Sequence, residues 1–481
     1  MTSRAAELCV TTSDGIVAAW NAVATRSSPI AVIVVAWVVL AVPLVFFRGF
    51  NSDEGLTVSI ARTALENGDW LNQHTFNVRW IDSPRLLAWI IAAISEPFGH
   101  VSQITARLPI VCFLLFGCLL IYFLLRKVGA GVAAALFGTA LFLACPLVMR
   151  AYVMITADMP LAVLLFFAFV LWWSGCEKGS ISVSRWLAIG LVLAIAGLLK
   201  GPQLMAYFVL GVGVFVLASR SWRQIFGLVL AGLIGAIPLA AWYAAIYTPG
   251  DEAQWSVFMR VQPRIIFSGP LTASVRLLGD TLPAALFAAV YLVARGFRGR
   301  AGAPPAFVAA LACYAFIAAP LILFWPGGSA PRYYFPMVLP LCVFGGLGYD
   351  ALAPRRPEIV APLLLLTAGL LVYALGYSVA SPLLPMRFRP TQIEAARIAG
   401  LVQAAPGPIY RTGDTALNVL PYVPGRILNA SLNQLGTLPG PAWMVLPAGE
   451  AEALLARRPD KLHAVMAFGE AQQWRLLRLD P

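Results

Sequence analysis

Long apolar runs separated by short polar segments dominate this chain. Runs of transmembrane length occur at about 28–48, 107–125, 130–149, 159–174, 186–199, 202–219, 224–247, 279–294, 305–324, 333–350 and 359–380. Because a helix needs about 20 apolar residues to cross a hydrocarbon core of about 30 Å, the pattern predicts an all-α polytopic membrane protein with about eleven crossings. The first run is too long for a signal-peptide core and is predicted to be an uncleaved anchor.

The polar stretch between the first two crossings is predicted to hold two interfacial helices. Leu56, Ile60 and Ala64 recur at helical spacing, so residues 53–67 predict an amphipathic helix on the membrane surface, ended by Gly68. The run 84–98 is too short to span a bilayer and is interpreted as interfacial or re-entrant.

The composition changes at about residue 386, where turns rich in proline and glycine alternate with short apolar runs. GPIYRTG, PAWMVLPAGEAEALLARRP, HAVMAF and QWRLLRL predict a strand, a strand followed by a helix, and two further strands. We therefore predict a transmembrane domain over 1–385, with a first outer loop at 49–106, and a small α/β domain over 386–481. This second domain shows no phosphate loop, nucleophile elbow or zinc signature, and is expected to cover or shape a site.

Composition excludes a soluble protein. Only 12% of the 481 residues are charged and 60% are hydrophobic, whereas soluble domains carry about 25% charged residues. The net charge of +12 comes mostly from residues between apolar runs, so it reflects topology and anionic lipids rather than nucleic acid. Seven scattered cysteines and three histidines argue against a disulfide scaffold or a Cys/His metal site.

The positive residues also predict the orientation. With residue 1 in the cytoplasm, every inner turn carries at least two of them: Arg126 and Lys127, Lys178 and Arg185, Arg220 and Arg223, Arg295, Arg298 and Arg300, and Arg355 and Arg356. The first outer loop and the C-terminal domain then lie outside, in the periplasm or its equivalent.

This topology places a set of charged residues on the outer face. The set contains Asp53, Glu54, Asp82, Asp158, Lys200, Arg332, Arg150, Arg260 and Arg264. Positive residues there run against the positive-inside bias, which indicates an anionic ligand. Positive charge stabilises a departing lipid phosphate, and a carboxylate takes the proton of an attacking hydroxyl, so the set predicts inverting sugar transfer by single displacement. A phosphate leaving group needs no acid, unlike the alkoxide of the two-carboxylate glycosidases.

Six motifs, in order, resemble those of bacterial GT-C glycosyltransferases of the aminoarabinose transferase and protein mannosyltransferase-like group. They are SDEGLTVSIARTALENGDW, WIDSPRLLAWI, SQITARLP, ITADMPL, LLKGP and PRYYFPMVLPL, spread over about 50–345. The resemblance implies a GT-C fold in a bacterial inner membrane, a polyprenyl-phosphate-sugar donor and an envelope acceptor that is a lipid, a glycan or a protein. It also implies that Asp53 is the catalytic base and that Lys200 binds the donor phosphate.

The chain departs from the family pattern at two motifs. The Asp-Glu pair is commonly followed by Arg-Tyr, where this chain has Leu56-Thr57. The family's acid-Lys-Pro motif is Asp82-Ser83-Pro84 here, and Arg79 or Arg85 is hypothesised to replace the missing base. Some relatives bind a divalent metal through this acid and a later histidine, but no histidine occurs between residues 100 and 463, which argues against a metal site of that form.

We accordingly predict Asp53 as base, with Lys200, Arg332 and Arg264 on the donor phosphate. Glu54, Asp82, Asp158, Arg79 and Arg85 are assigned to the acceptor or the sugar, and a divalent metal stays an open option. Ordinary structural roles compete with these assignments: a helix cap for Asp53 or Asp158, a first-turn acid for Glu54, a turn for Asp82 and snorkelling for Lys200. Two other functions compete as well, a lipid-linked sugar transporter or flippase and an O-antigen ligase- or polymerase-like enzyme.

Overall fold

A computed structural model describes residues 2–177, 181–202, 205–249, 268–298, 303–320, 331–413 and 415–481. The chain forms two compact units. The first unit contains Met1–Val42, Asp82–Leu86 and Ile110–Ser378, and the second contains Pro43–Ile81, Leu87–Pro109 and Val379–Pro481. Most of the first outer loop thus groups with the C-terminal segment, whereas the sequence assigned this loop to the transmembrane domain.

Helices make up most of the first 404 residues. In chain order they are α1 (Thr2–Arg26), α2 (Pro29–Phe47), α3 (Ser52–Asn67), α4 (Leu86–Ser95), α5 (Gln103–Lys127), α6 (Val132–Ala144), α7 (Pro146–Ala151), α8 (Asp158–Cys176), α9 (Val183–Lys200), α10 (Ala206–Ala218), α11 (Trp222–Ile246), α12 (Ser268–Thr281), α13 (Ala284–Arg298), α14 (Pro305–Phe316), α15 (Phe335–Leu352), α16 (Pro357–Leu383), α17 (Pro385–Phe388) and α18 (Pro390–Ala404). Each of the eleven predicted apolar runs overlaps at least one of these helices, and the runs 130–149 and 279–294 each extend over two.

Among the described residues, seven helices are long and apolar enough to cross a membrane, namely α2, α5, α8, α9, α11, α15 and α16. An eighth span results if the pair Ser274–Thr281 and Ala284–Val293, bent by 96°, is counted as one. The runs at α6, α10 and α14 form shorter apolar helices. The chain is therefore a multi-span membrane protein, and the count of eleven crossings stays a prediction.

Buried helices with small residues build the core of the first unit. Helix α15 is buried along most of its length, and α8 is buried almost as completely. Gly138 in α6 permits close packing, because a Cβ there would lie 2.5 Å from Leu125 Cδ1 and 3.0 Å from the Cys342 carbonyl oxygen.

The second unit contains the predicted α/β fold. Its five-stranded sheet has the order β4-β3-β5-β7-β6. The strands are β3 (Ile409–Arg411), β4 (Ile427–Asn429), β5 (Ala442–Pro447), β6 (Leu462–Phe468) and β7 (Trp474–Leu479), with α19 (Leu432–Leu435) and α20 (Ala448–Arg457) between them. Strand β3 pairs in parallel with β4 and β5, and β7 pairs antiparallel with β5 and β6. The four predicted strands and the helix after the second of them are confirmed, whereas the three-residue strand β4 was missed.

Helix α3 packs against this C-terminal fold. Leu56 of α3 lies against an apolar core that includes Leu417, Leu420 and Leu476. At Gly55 an added Cβ would lie 1.7 Å from the Leu417 carbonyl oxygen, so the backbones are in direct contact. The helix itself is confirmed, including its end at Gly68 in the left-handed conformation (φ 71°). Leu56 is partly buried by this packing, and the predicted position of α3 on a membrane surface stays a prediction.

Candidate active site

The turn before α3 fixes the position of Asp53. Asn51 is the N-cap residue, and its side chain accepts a hydrogen bond from the Glu54 N–H at 3.0 Å. The Glu54 carboxylate in turn accepts from the Asn51 N–H at 2.8 Å, which completes a capping box. Asn51 holds the N-cap position and Asp53 is an exposed residue of the first turn, so the N-cap alternative for Asp53 is wrong.

Within the second unit, Arg107 of α5 contacts both Glu54 and the backbone just before this turn. Its Nη2 lies 3.4 Å from Glu54 Oε1, and both side chains are 0% exposed. The guanidinium also donates to the Gly49 carbonyl at 2.9 Å and to the Arg48 carbonyl. A buried charge pair needs further hydrogen bonds on both groups, and these contacts supply them for the Glu54 carboxylate and for Nη1 and Nη2 of Arg107, while its Nε is buried without a partner among the described residues.

Phe50 and Tyr422 complete the support of the turn. Their rings stack with centroids 4.3 Å apart, and the Tyr422 hydroxyl accepts from the Phe50 N–H at 3.0 Å. The Arg107 guanidinium carbon lies 5.3 Å from the centroid of the Phe50 ring. Burial raises the pKa of the Tyr422 hydroxyl, so it stays protonated near neutral pH and also donates to Gln103 Oε1. These contacts therefore fix the backbone of the turn that carries Asp53.

A second cluster lies in the first unit around Lys200. The ammonium at the end of α9 forms an ion pair with Asp158, the first residue of α8. The Lys200 side chain is 19% exposed and that of Asp158 is 2% exposed. Lys200 Nζ lies 4.5 Å from the centroid of the Tyr333 ring, and the Arg332 guanidinium carbon lies 5.8 Å from the same centroid. The positive charges of Arg332 and Arg85 also act on Lys200.

The other predicted site residues fall in different places. The Asp82 carbonyl accepts from the Tyr243 hydroxyl at 3.2 Å in the first unit. Arg79 is in the short strand β2 (Val78–Arg79) of the second unit, paired with β1 (His74–Thr75). Arg150 forms an ion pair with Asp280 at 2.6 Å. Arg260 and Arg264 lie outside the described residues.

Five residues of these clusters were not singled out from the sequence, namely Phe50, Asn51, Arg107, Tyr333 and Tyr422. Arg107 stands within the SQITARLP motif, and an arginine inside an apolar membrane helix is itself a signal of a polar partner. Tyr333 stands within PRYYFPMVLPL and gave no separate signal. Over the described ranges, no group of three His, Cys, Asp or Glu side chains is arranged to hold a metal ion.

Comparisons with known proteins agree with the sequence motifs. Residues 82–244 match the family described as dolichyl-phosphate-mannose-protein mannosyltransferase. A relative from Enterobacter sp. (strain 638), named undecaprenyl phosphate-alpha-4-amino-4-deoxy-L-arabinose arabinosyl transferase, is 23% identical over 46% of this chain and 40% of its own length. A protein of the same name from Pseudomonas aeruginosa (strain PAO1) is 25% identical over 61% of this chain and 54% of its own. The chain thus spans about half the length of these curated relatives.

Solved structures show the fold. ArnT from Cupriavidus metallidurans bound to undecaprenyl phosphate superimposes with a TM-score of 0.70 at 19% identity, covering 93% of this chain and 97% of that one. The apo oligosaccharyltransferase of Archaeoglobus fulgidus gives 0.53 at 14% identity, covering 90% of this chain and 69% of that one. The chain has the GT-C fold and resembles the aminoarabinose transferases, as the motifs predicted.

Proposed function

We propose that this GT-C membrane protein, similar in sequence to the aminoarabinose transferases, transfers a sugar from a polyprenyl phosphate to an envelope acceptor. The reaction takes place at the outer face of the bacterial cytoplasmic membrane, with the C-terminal fold in the periplasm. The donor is undecaprenyl phosphate-linked, because the curated relatives carry that lipid in their names. Aminoarabinose is a pentose, and pentosyl transfer is the version we favour over hexosyl transfer.

The cations gathered around Lys200 carry this proposal. A largely buried ammonium is costly in a membrane protein unless opposite charge compensates it, and Asp158 supplies such a charge. Arg332 and Arg85 act on the same ammonium as further positive charges. A lipid phosphate is the kind of group that ammonium and guanidinium cations recognise together. Undecaprenyl phosphate is the ligand in the crystal structure of Cupriavidus metallidurans ArnT.

We assign Asp53 as the general base of the reaction. Its carboxylate accepts the proton of the acceptor hydroxyl while that oxygen forms a bond to the anomeric carbon of the donor sugar. The bond from the anomeric carbon to the phosphate oxygen breaks, and its electron pair leaves with the lipid phosphate. Lys200 and Arg332 stabilise that developing charge, so no acid is required. Asp53 is an exposed residue, although Glu54 beside it is buried, and exposure suits a group that must meet a substrate.

The contacts in the structure change the roles that we propose for some of the other predicted site residues. Glu54 is fully buried against Arg107, so we assign it to positioning α3 instead of binding a sugar. Asp158 is assigned as the counter-ion that holds Lys200. Arg85 acts on Lys200 and is therefore the candidate for the base missing from the Asp82 motif. Asp82 and Arg79 keep their proposed roles toward acceptor or sugar, and Arg264 keeps its proposed role toward the phosphate.

Proteoliposomes with a panel of radiolabelled polyprenyl-phosphate sugars, aminoarabinose and hexoses included, test the proposal. Wild type is expected to turn over one donor, and Asp53→Asn to lose about 10²–10⁴-fold in rate, the usual contribution of a general base. Asp460→Asn, an exposed acid of the C-terminal fold, is the matched control and should retain activity. Equal turnover by wild type and Asp53→Asn would remove Asp53 from the mechanism.

The same proteoliposomes, given polyprenyl diphosphate donors as well and assayed for donor transport, separate the alternatives. Donor binding with transport but without turnover would establish a transporter. Turnover of polyprenyl diphosphate donors alone would establish a ligase- or polymerase-like enzyme.

A further inference from the structure

A polar cavity of about 350 Å³ opens in the second unit. It lies between the last turns of α3, the β1–β2 hairpin and the start of β4. The charged and aromatic residues that line it are Arg62, Glu66, Asp69, His74, Phe76 and Arg426. Its volume falls near the lower end of the range of about 300–1,000 Å³ that small-molecule sites occupy.

Hydrogen bonds fix the walls of this cavity relative to one another. Asn77 Nδ2 donates to the Asn429 carbonyl at 3.1 Å, and Asn77 Oδ1 accepts from the Asn429 N–H. The side chain thus pairs with the edge strand β4 as a neighbouring strand would. Thr63 Oγ1 accepts from the Phe76 N–H at 3.2 Å, which fixes the hairpin to α3. The cavity is therefore preformed.

The turn of the β1–β2 hairpin contains a residue in a rarely populated backbone conformation. Phe76 has a φ of 61°, in the left-handed region that a bulky residue rarely adopts and that glycine usually occupies in such turns. Its side chain is 8% exposed, and the Arg411 guanidinium carbon lies 4.8 Å from the ring centroid. Conformations of this kind persist where packing over-determines them, and they concentrate at ligand sites.

The charges of the cavity are mixed. Glu66 and the carbonyls of Val423 and Gly425 already satisfy Arg62, at 2.6, 2.7 and 2.8 Å. Asp69 accepts from a backbone N–H, and His74 Nδ1 lies 2.7 Å from a carbonyl oxygen. When Nδ1 donates there, Nε2 is left as an acceptor in the neutral ring. Two carboxylates disfavour a bare phosphate, and the many polar groups disfavour an apolar ligand.

We propose that this cavity binds a neutral or zwitterionic saccharide of one or two sugar units. Sugar hydroxyls both donate and accept hydrogen bonds, which suits a lining of carboxylates, guanidiniums and carboxamides. An amino substituent would pair with Asp69, and the apolar C–H face of the ring would lie on Leu428, a partly exposed residue of the lining. The cavity would thus be a glycan-binding site separate from the residues that we assign to sugar transfer. This proposal does not depend on whether the chain is a transferase.

Isothermal titration of the full-length protein, in a detergent without a sugar headgroup, tests the site. The probes are glucosamine, N-acetylglucosamine, chitobiose and inorganic phosphate. Arg426→Ala should raise the Kd of a saccharide about three- to tenfold, the effect of losing one hydrogen bond. Asn67→Trp, which fills the cavity from the exposed end of α3, should abolish binding, and Arg457→Ala is the matched exposed-arginine control.

Four results decide the proposal. Saccharide binding that Asn67→Trp removes and that Asp53→Asn leaves unchanged supports the site and separates it from the transfer reaction. Lack of binding by all three sugars would overturn it. Binding unchanged in both Arg426→Ala and Asn67→Trp would place the ligand elsewhere and overturn it as well. Phosphate binding in place of sugar binding would identify an anion site instead.

Discussion

Arg107→Met removes the cation that neutralises Glu54 and leaves a carboxylate buried beside the turn that carries Asp53. The pair is separated by 3.4 Å with both side chains 0% exposed, and the Arg48 and Gly49 carbonyls lose a donor as well. Breaking a buried ion pair from one side costs about 3–5 kcal/mol. Because Glu54 keeps its bond from the Asn51 N–H, we expect about 3 kcal/mol, the low end of that range.

The assay is the free energy of unfolding from SDS titration of the detergent-solubilised protein, followed by tryptophan fluorescence. Arg397→Met, an exposed arginine of α18, is the matched control and should change stability by less than about 0.5 kcal/mol. Adding Glu54→Gln to Arg107→Met should recover at least half of the loss, because glutamine keeps the capping box without a charge. Equal stability of Arg107→Met and Arg397→Met, or no recovery in the double variant, would refute the reasoning.

Three further variants probe the remaining contacts. Lys200→Met should weaken binding of undecaprenyl phosphate more than tenfold through loss of a charged hydrogen bond, measured by lipid pull-down, while the exposed Lys461→Met should bind like wild type. Gly55→Ala should destabilise by about 1–3 kcal/mol, since its Cβ would lie 1.7 Å from a carbonyl oxygen, whereas Gly449→Ala, with nothing within 4 Å, should not. Tyr422→Phe should cost about 1–3 kcal/mol in unfolding free energy by leaving a buried backbone N–H without its acceptor. If any of the three test variants behaves like wild type, the structural reason given for its effect is wrong.

Local pattern was enough to place most elements. The apolar runs predicted the helices, because membrane-spanning helices and buried helices both consist of continuous hydrophobic sequence. Gly68 marked the end of α3, since the left-handed conformation that ends a helix favours glycine. In the second unit, the strand Ile427–Asn429 was missed, although β3, which has the same length of three residues, was predicted.

The contacts that position Asp53 depend on residues far apart in the chain. Glu54 meets Arg107 over a separation of 53 residues, and the Phe50 N–H meets Tyr422 over 372. No periodicity encodes such pairs. The same distance explains why the packing of Leu56 was not predicted, since the leucines that it contacts follow more than 300 residues later. An amphipathic pattern identifies an apolar face without identifying its partner.

The most direct test of the account is the product balance of a single reaction in proteoliposomes that hold one polyprenyl-phosphate sugar and an envelope lipid extract. Mass spectrometry would count the released lipid phosphate and the glycosylated acceptor, and NMR would give the anomeric configuration of the product. We predict one lipid phosphate per transferred sugar, an inverted anomer, and neither product with Asp53→Asn. A retained anomer, or product formation by Asp53→Asn at the wild-type rate, would contradict the central claim.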